Sequence, residues 1–506
     1  MSLMGVDIGS SGCKVAVYSV DGMLISTEST TYSVTMPAGP GGLFELDSRQ
    51  VLDAVYTAMR TVVKRAGSDN RYLHDPLKAV SFGSFSEAMV PVSSHGEILG
   101  PSIFSHDQRG KYAVERFNKI GQKAFYKINP NILGYSYSYP KLVWYRESAP
   151  DFNTKVWKYL NWSDFLTFQL TGEAATTYGH ANRTLLFDLW KEKWSDELLE
   201  VGGVERRVLA DLIPSGITMG YMKKEISASL GFPEDVLVIS GGHDQCMNAL
   251  GAGAISGGSS VTGIGTFECT TLVFDDIPDP DLMLGLKLGI EHHTVPGKYV
   301  TFIYNQGGSV QTWFMQAFTQ DLIKEGASER EILNSLTDEA PNKPGNVVFL
   351  PFLEPSGAPV FLPEGRGCFF GIGTGTGRGA LYRALLEGES MFFLEAFEEL
   401  SKNGLSITSV RATGGGSRSD LWLQIKADIL QRPVHRVQHR ESGTVGAAIV
   451  AGLATGMYGS LEEAVGIFSG TDASFFPRKE FTDIYARLYK KYKNGLGLVS
   501  SREWRD

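Results

Sequence analysis

Met4-Gly5-Val6-Asp7-Ile8-Gly9-Ser10-Ser11-Gly12-Cys13-Lys14-Val15-Ala16-Val17-Tyr18-Ser19-Val20-Asp21-Gly22-Met23-Leu24-Ile25 decides the reading of the fold. Residues 4–9 read as a short buried strand that ends in a glycine turn. Apolar residues alternate over 14–20, as in a second strand. Asp21-Gly22 is a two-residue hairpin signal, and Met23-Leu24-Ile25 returns as a third strand. Rossmann and P-loop sites require a helix after their glycine turn. Here a strand follows, and no GxxxxGK[ST] occurs anywhere in the chain. The turn still suits phosphate: its glycines let backbone N–H groups approach oxygens, and Ser10 and Ser11 add hydroxyl donors. Asp7 is costly at the end of a buried strand unless it binds something, and it can hold Mg2+ through water. An ordinary hairpin with small turn residues is the bland alternative, and this segment alone does not exclude it.

Outward from this hairpin, residues 48–66 have helical periodicity, capped by Asp47 or Ser48. Strands are expected at 80–82 and 88–92. Residues 111–230 read as mostly helical, including 140–144 and 162–170, the latter stopped by Thr171-Gly172. The pattern then returns to strands: 236–240 leads into Gly241-Gly242, and 259–262 and 268–274 flank Gly263-Ile264-Gly265-Thr266. Further strands are expected at 347–350 and 368–370, and long helices at 380–400, 421–430 and 445–454. The second half thus repeats the first: a glycine-rich β-hairpin, more strands, then helices. A chain of 506 residues is too long for one ordinary core. Two domains follow, 1–250 and 251–506, with the boundary at 245–255.

The bulk numbers exclude several classes. With 47 basic and 56 acidic residues the formal charge is −9, against the basic patch that nucleic acid requires. Cys13, Cys246, Cys269 and Cys368 are too far apart for zinc-ligand spacing and read as reduced thiols. The apolar run 445–457 is short and broken by glycines, so no membrane span is expected. No basic leader precedes the first strand, and the protein is expected in the cytoplasm.

Three further segments carry chemistry. In Gly241-Gly242-His243-Asp244-Gln245, Asp244 at a strand end can accept the proton of an attacking hydroxyl, and Gln245 can orient that hydroxyl. His243 is a rival base, or merely packs; Asp244 could also be a simple helix cap. Gly265 and Thr266 offer a second phosphate hairpin, weak by itself. Gly414, Gly415 and Gly416 lead into a helix with Trp422, Gln424 and Asp428, which suits a nucleotide ribose or phosphate. Gly373-Thr374-Gly375-Thr376-Gly377-Arg378-Gly379 looks similar, but no GxGxxG register fits it.

In this order, over nearly the whole chain, these segments resemble the FGGY carbohydrate kinases of the actin–hexokinase superfamily. Asp7-Ile8-Gly9-Ser10-Ser11 is similar to that family's first phosphate hairpin, and Gly265-Thr266 to its second. Asp107-Gln108-Arg109 resembles its D-x-R element, with Ser105 where a Trp is usual. Lys141-Leu142-Val143-Trp144 and Asp164-Phe165-Leu166 resemble its middle helices. Gly242-His243-Asp244-Gln245 resembles the segment of the catalytic base, and Gly414-Gly415-Gly416 the adenosine element. Pro355-Ser356-Gly357 and Ala380 depart from the usual pattern. The resemblance implies two ribonuclease-H-like α/β domains, as in actin-like ATPases, with mixed five-stranded sheets and a central cleft. It implies ATP and Mg2+, with Asp244 as base and Asp7 near the metal. Gly9, Ser10, Ser11, Gly265, Thr266 and Gly414–Gly416 would serve ATP, and Glu87, Asp107, Arg109 and Gln245 the acceptor. The partners are then a small sugar or polyol and ATP, with a homodimer compatible. No added module supports a non-catalytic sugar sensor or a chaperone.

For the acceptor the residues conflict. Glu87 falls on a substrate-contact position where the resemblance implies His for xylulose kinases and Glu for glycerol kinases. Asp244-Gln245 is also glycerol-like. An ionised carboxylate only accepts hydrogen bonds, which suits hydroxyls and not a keto oxygen; alternatively, Glu87 merely pairs with Arg109. A ketopentose such as D-xylulose ranks narrowly first, because the family at large favours ketopentoses, with glycerol or another polyol second.

Overall fold

The computed structural model describes residues 1–35, 43–358, 360, 362, 364–439 and 441–500. The opening hairpin is β1 (Ser2–Ile8) and β2 (Gly12–Ser19), paired antiparallel with Asp7 opposite Lys14. Gly22 takes φ 81° in the next turn, a left-handed conformation that Asp-Gly turns supply, and β3 (Leu24–Thr31) returns beside β2. Helix α1 (Ser48–Ala66) starts where the Asp47 side chain accepts from Arg49 N–H at 2.9 Å and Gln50 N–H at 3.2 Å.

Parallel to β1 runs β4 (Leu77–Ser84), and parallel to β4 runs β6 (Leu237–His243), with β5 (Thr218–Tyr221) antiparallel at the edge. The six-stranded order is β5-β6-β4-β1-β2-β3. Its core joins Val6, Val15 and Phe82 to Val55 and Met59 of α1 and to Trp162 and Phe165.

The second half reproduces this connectivity. Strands β7 (Ser259–Ile264) and β8 (Phe267–Phe274) form a hairpin, and β9 (Glu291–His292) precedes β10 (Tyr299–Gln306). Then come β11 (Ser409–Thr413), β12 (Val434–Val437) and β13 (Thr471–Phe475). The seven-stranded order is β9-β10-β8-β7-β11-β12-β13, with β7, β11 and β12 parallel. Each sheet therefore has the expected five-stranded mixed plan plus edge strands: β5 in the first, β9 and β13 in the second. The expectation of five strands is corrected to six and seven, because short antiparallel segments extend the edges.

Two helices cross between the halves. Helix α2 (Asp244–Gly251) follows β6, and α5 (Ser442–Ala454) follows β12 but lies on β1 and β4 of the first sheet. Leu3, Ala16 and Ala79 share one buried cluster with Val445, Ile449 and Leu250. Bare backbone permits the crossing. A Cβ on Gly251 would stand 1.8 Å from the Ser442 carbonyl oxygen, and one on Gly446 2.0 Å from that of Met247. Among the described residues no helix is long and apolar enough to cross a membrane.

Candidate active site

Parallel strands deliver their carboxyl ends, and the groups borne there, to the same face. At the end of β1, Gly9 N–H closes the turn onto Gly12 O at 2.9 Å, and Tyr32 Oη donates to Gly9 O at 2.5 Å. Ser10 and Ser11 are exposed there, with no side-chain hydrogen bond to a described residue. No hydrogen bond or ion pair from a described residue reaches the Asp7 carboxylate either. It lies against the start of α5, where a Cβ on Gly443 would come within 2.5 Å of it. Burial, the Asp244 charge and, in opposition, Lys14 leave the Asp7 carboxyl raised to about 7. A partly buried carboxylate with no hydrogen bond from a described residue fits a hydrated Mg2+.

At the end of β6, His243 caps α2 and Asp244 is its first residue. The Asp244 side chain keeps 22% exposure, whereas His243 keeps 6%. Asp244 Oδ1 lies 3.2 Å from His243 Nε2, and His243 Nδ1 bonds Glu291 Oε1 at 2.8 Å. Burial pushes the Asp244 carboxyl up, His243 pulls it down, and Glu87 pushes it up again, with a net rise. Gln245 follows on the same turn, partly exposed. The donor atoms of His243, Cys246 and Glu291 lie within 4.8 Å of one another, the spacing of a cation site. A direct 2.8 Å His–Glu hydrogen bond already uses two of the three.

Beyond the end of β4, Glu87 pairs with Arg183, whose Nε donates to Glu87 Oε1 at 3.0 Å. Arg183 also stacks over the Tyr137 ring at 4.8 Å. Burial pushes the Glu87 carboxyl up, but Arg183 and His243 outweigh it and hold it at about 2. The fallback pairing of Glu87 with Arg109 is corrected: Arg109 binds Asp107 at 2.9 Å and Glu45 at 2.7 Å and stacks on Trp144. Arg109 Nε donates to Asp107 Oδ1 and Arg109 Nη2 to Oδ2, which also accepts Phe44 N–H at 2.8 Å, so both oxygens are engaged. Lys141 stands between the two groups. Burial leads in lowering its ammonium to about 8, against Asp107 and Glu87.

In the second half, the tip of the β7–β8 hairpin is held by the start of α3 (Gly308–Phe318). Gly308 N–H donates to Gly265 O at 2.8 Å, and Ser309 N–H to Thr266 O at 3.1 Å. The 414–416 loop lies on Ile264: a Cβ on Gly416 would meet its Cγ2 at 2.3 Å, whereas one on Gly415 would meet nothing. The two glycine segments are therefore adjacent, with Gly415 open. Beneath them Lys426, on α4 (Asp420–Leu430), binds Glu268 at 2.6 and 2.8 Å, both fully buried. Gln424 and Asp428 hold a different segment: Gln424 Nε2 donates to Phe476 O, and Asp428 accepts from Arg478. Arg378, in the alternating-glycine stretch, is tied to Asp321 and Glu339.

Asp7, Glu87, Asp244 and Gln245 thus gather at one face, with Asp107–Arg109 beyond Lys141. Arg183, Glu291, Lys426 and Tyr32 were missed. Glu291-His292-His293 was a visible polar cluster; the others carry no local signal.

The chain matches the FGGY family of carbohydrate kinases, N-terminal domain, over residues 2–251 and C-terminal domain over 289–455. It is 27% identical over 495 residues to a xylulose kinase of Lactococcus lactis subsp. lactis (strain IL1403), covering 97% of this chain and 95% of that protein. It is 26% identical over 504 residues to a glycerol kinase of Thermococcus onnurineus (strain NA1), covering 98% and 97%. The solved gluconate kinase from Lactobacillus acidophilus shares the fold, with a TM-score of 0.86, 23% identity and coverage of 99% and 98%. The chain belongs to the FGGY family of carbohydrate kinases. It is accordingly an ATP-dependent enzyme that phosphorylates a carbohydrate hydroxyl, built on the two-domain actin-like fold.

Proposed function

We propose that the enzyme transfers the γ-phosphoryl group of ATP to a hydroxyl of a ketopentose of the D-xylulose type. One observation carries this reading: the partly exposed Asp244 carboxylate shares a face with the Glu87–Arg183 pair. Glu87 accepts from sugar hydroxyls, and Arg183 supplies the donors that a keto oxygen requires and Glu87 cannot give. A polyol needs no such donor. The xylulose kinase relative supports the same acceptor, whereas Glu87 itself and Asp244-Gln245 favour glycerol.

Asp244 accepts the hydroxyl proton as that oxygen forms its bond to the γ-phosphorus and the bond to the β-phosphate oxygen breaks, leaving ADP. Residues 1–250 supply the acceptor side, with Glu87, Asp107, Arg109 and Gln245, and residues 251–506 the nucleotide side. Ser10, Ser11 and Thr266 donate to the phosphates from the turns that Gly9 and Gly265 shape, whose own N–H groups are held by Gly12 O and Phe267 O, and Gly414, Gly415 and Gly416 give the adenosine a flat bed. Mg2+, when bound with ATP, neutralises phosphate charge, and Asp7 would hold its water shell. A cytoplasmic, homodimeric enzyme completes the proposal.

The test is ADP release measured with D-xylulose, other ketopentoses, glycerol and aldonates. The highest kcat/KM is expected for a ketopentose; a higher value for glycerol would overturn the acceptor assignment.

A further inference from the structure

The base candidate is buttressed from the opposite half of the molecule. His243 ends β6 of the first sheet, yet its ring is held by residues of the second. Glu291, on β9, takes Nδ1 at 2.8 Å, and Phe302, on β10, meets the ring edge-to-face at 5.2 Å between centroids. Glu291 is buried, with 2% exposure, and its Oε2 has no hydrogen-bond partner among the described residues. Its strand is fixed from both sides. Asn182 Nδ2 donates to Ile290 O at 2.8 Å and Ile290 N–H to Pro130 O at 2.8 Å, while β9 pairs with β10. Glu291 therefore sits where segments of the two halves meet.

The opposite edge of the imidazole faces Asp244 at 3.2 Å. An imidazole between two carboxylates can donate to both only as the imidazolium. A neutral ring donating to Glu291 would turn its Nε2 lone pair on the Asp244 carboxylate. The arrangement places one imidazole between two carboxyl groups, bonded to Glu291 and within ion-pair distance of Asp244, of which only Asp244 keeps appreciable exposure.

We propose that Glu291 is a positioning residue for the catalytic base: it fixes the orientation and charge of His243, which in turn fixes the Asp244 carboxylate. The proposal rests on the reading of Asp244 as the base. It explains a costly feature, an acid buried with one oxygen unpaired, by work done at the reacting end of the chain of contacts. The directions of titration agree. Burial lowers the His243 ring and Glu291 then raises it, for a net rise. Asp244 also faces Glu87, Asp7 and His180, and His243 also faces Arg183; the Cys246 and Cys269 thiols complete the titratable surroundings.

The experiment is steady-state kinetics of the full chain across pH, with MgATP and D-xylulose, or glycerol if the acceptor screen selects it. The variants are Glu291→Gln, Glu291→Asp, His243→Asn, the Glu291→Gln/His243→Asn double and Asp244→Asn. Glu291→Gln should lower kcat at least about tenfold, part of the range a general base supplies. The KM for ATP should stay within about twofold. Without the Glu291 charge, His243 loses its proton more readily and Asp244 loses its cationic neighbour, so the acid limb of kcat/KM moves to higher pH. Glu291→Asp should recover part of the loss, and the double variant should be no worse than His243→Asn. If Glu291→Gln does not fold, Glu291→Asp and His243→Asn carry the pH test. Wild-type kcat and acid limb in the Glu291 variants, with Asp244→Asn inactive, would overturn this proposal alone. An active Asp244→Asn would overturn the base assignment beneath it.

Discussion

In the proposed reading Glu87 meets the acceptor, and its pairing with Arg183 changes what it can do there. Paired with Arg183, it is half of a site that both accepts and donates. Glu87→Gln should raise the KM for the acceptor at least tenfold and leave that for ATP unchanged, as loss of a charged hydrogen bond of about 1.5–3 kcal/mol implies. Arg183→Met should reduce kcat/KM for a ketopentose more than for glycerol; equal losses in a two-acceptor assay would remove Arg183 from carbonyl recognition. The pH dependence has a fixed sign. The folded Glu87 carboxyl is depressed to about 2, so the pair's stabilisation is fully present above the unfolded value of 4.5 and is lost as pH falls toward 2. The Tm deficit of Glu87→Gln should therefore be constant from about pH 6 to 8 and narrow only below about 4.5. A deficit that changes near neutrality would contradict the depressed carboxyl. Asp7 and Asp244 were legible in the sequence because each sits by a strand end or glycine turn, whereas Glu87 was reached only through the family resemblance. Arg183 and Glu291 were not: they meet their partners across 96 and 48 residues. Helical periodicity around Arg183 says nothing about which carboxylate the folded chain brings to it.

Among elements, the two glycine hairpins were readable because strand alternation and turn chemistry are local. The β10 strand, Tyr299–Gln306, was not anticipated although its residues suit a strand. No tight turn joins it to its partner β8, so no hairpin signal announced it. Edge strands such as β5 and β9 are too short to show a period. The crossing of α2 with α5 was also invisible, since apolar 445–454 reads as any buried helix. Its glycines give the crossing a direct test. Gly446→Ala would place a methyl group against the Met247 backbone, and overpacking of this kind costs about 1–3 kcal/mol. A Tm several degrees lower is expected by thermal unfolding; an unchanged Tm would mean that the helices separate at no cost.

The whole molecule is one plan used twice, with a helix from the second half laid on the sheet of the first. Phosphoryl transfer to a sugar rather than to water requires the halves to exclude solvent once the acceptor is in place. Small-angle scattering should show a smaller radius of gyration with acceptor and nucleotide than without; identical curves would count against closure. The central claim is that chemistry needs the Asp244 carboxylate of the first half against phosphates held between the two halves. Its most direct measurement is acceptor-dependent ADP release by Asp244→Asn, with ATP binding followed in parallel by calorimetry. Retained ATP affinity with a rate lowered about 10²–10⁴-fold is predicted; a variant keeping more than about a tenth of the wild-type rate would contradict it.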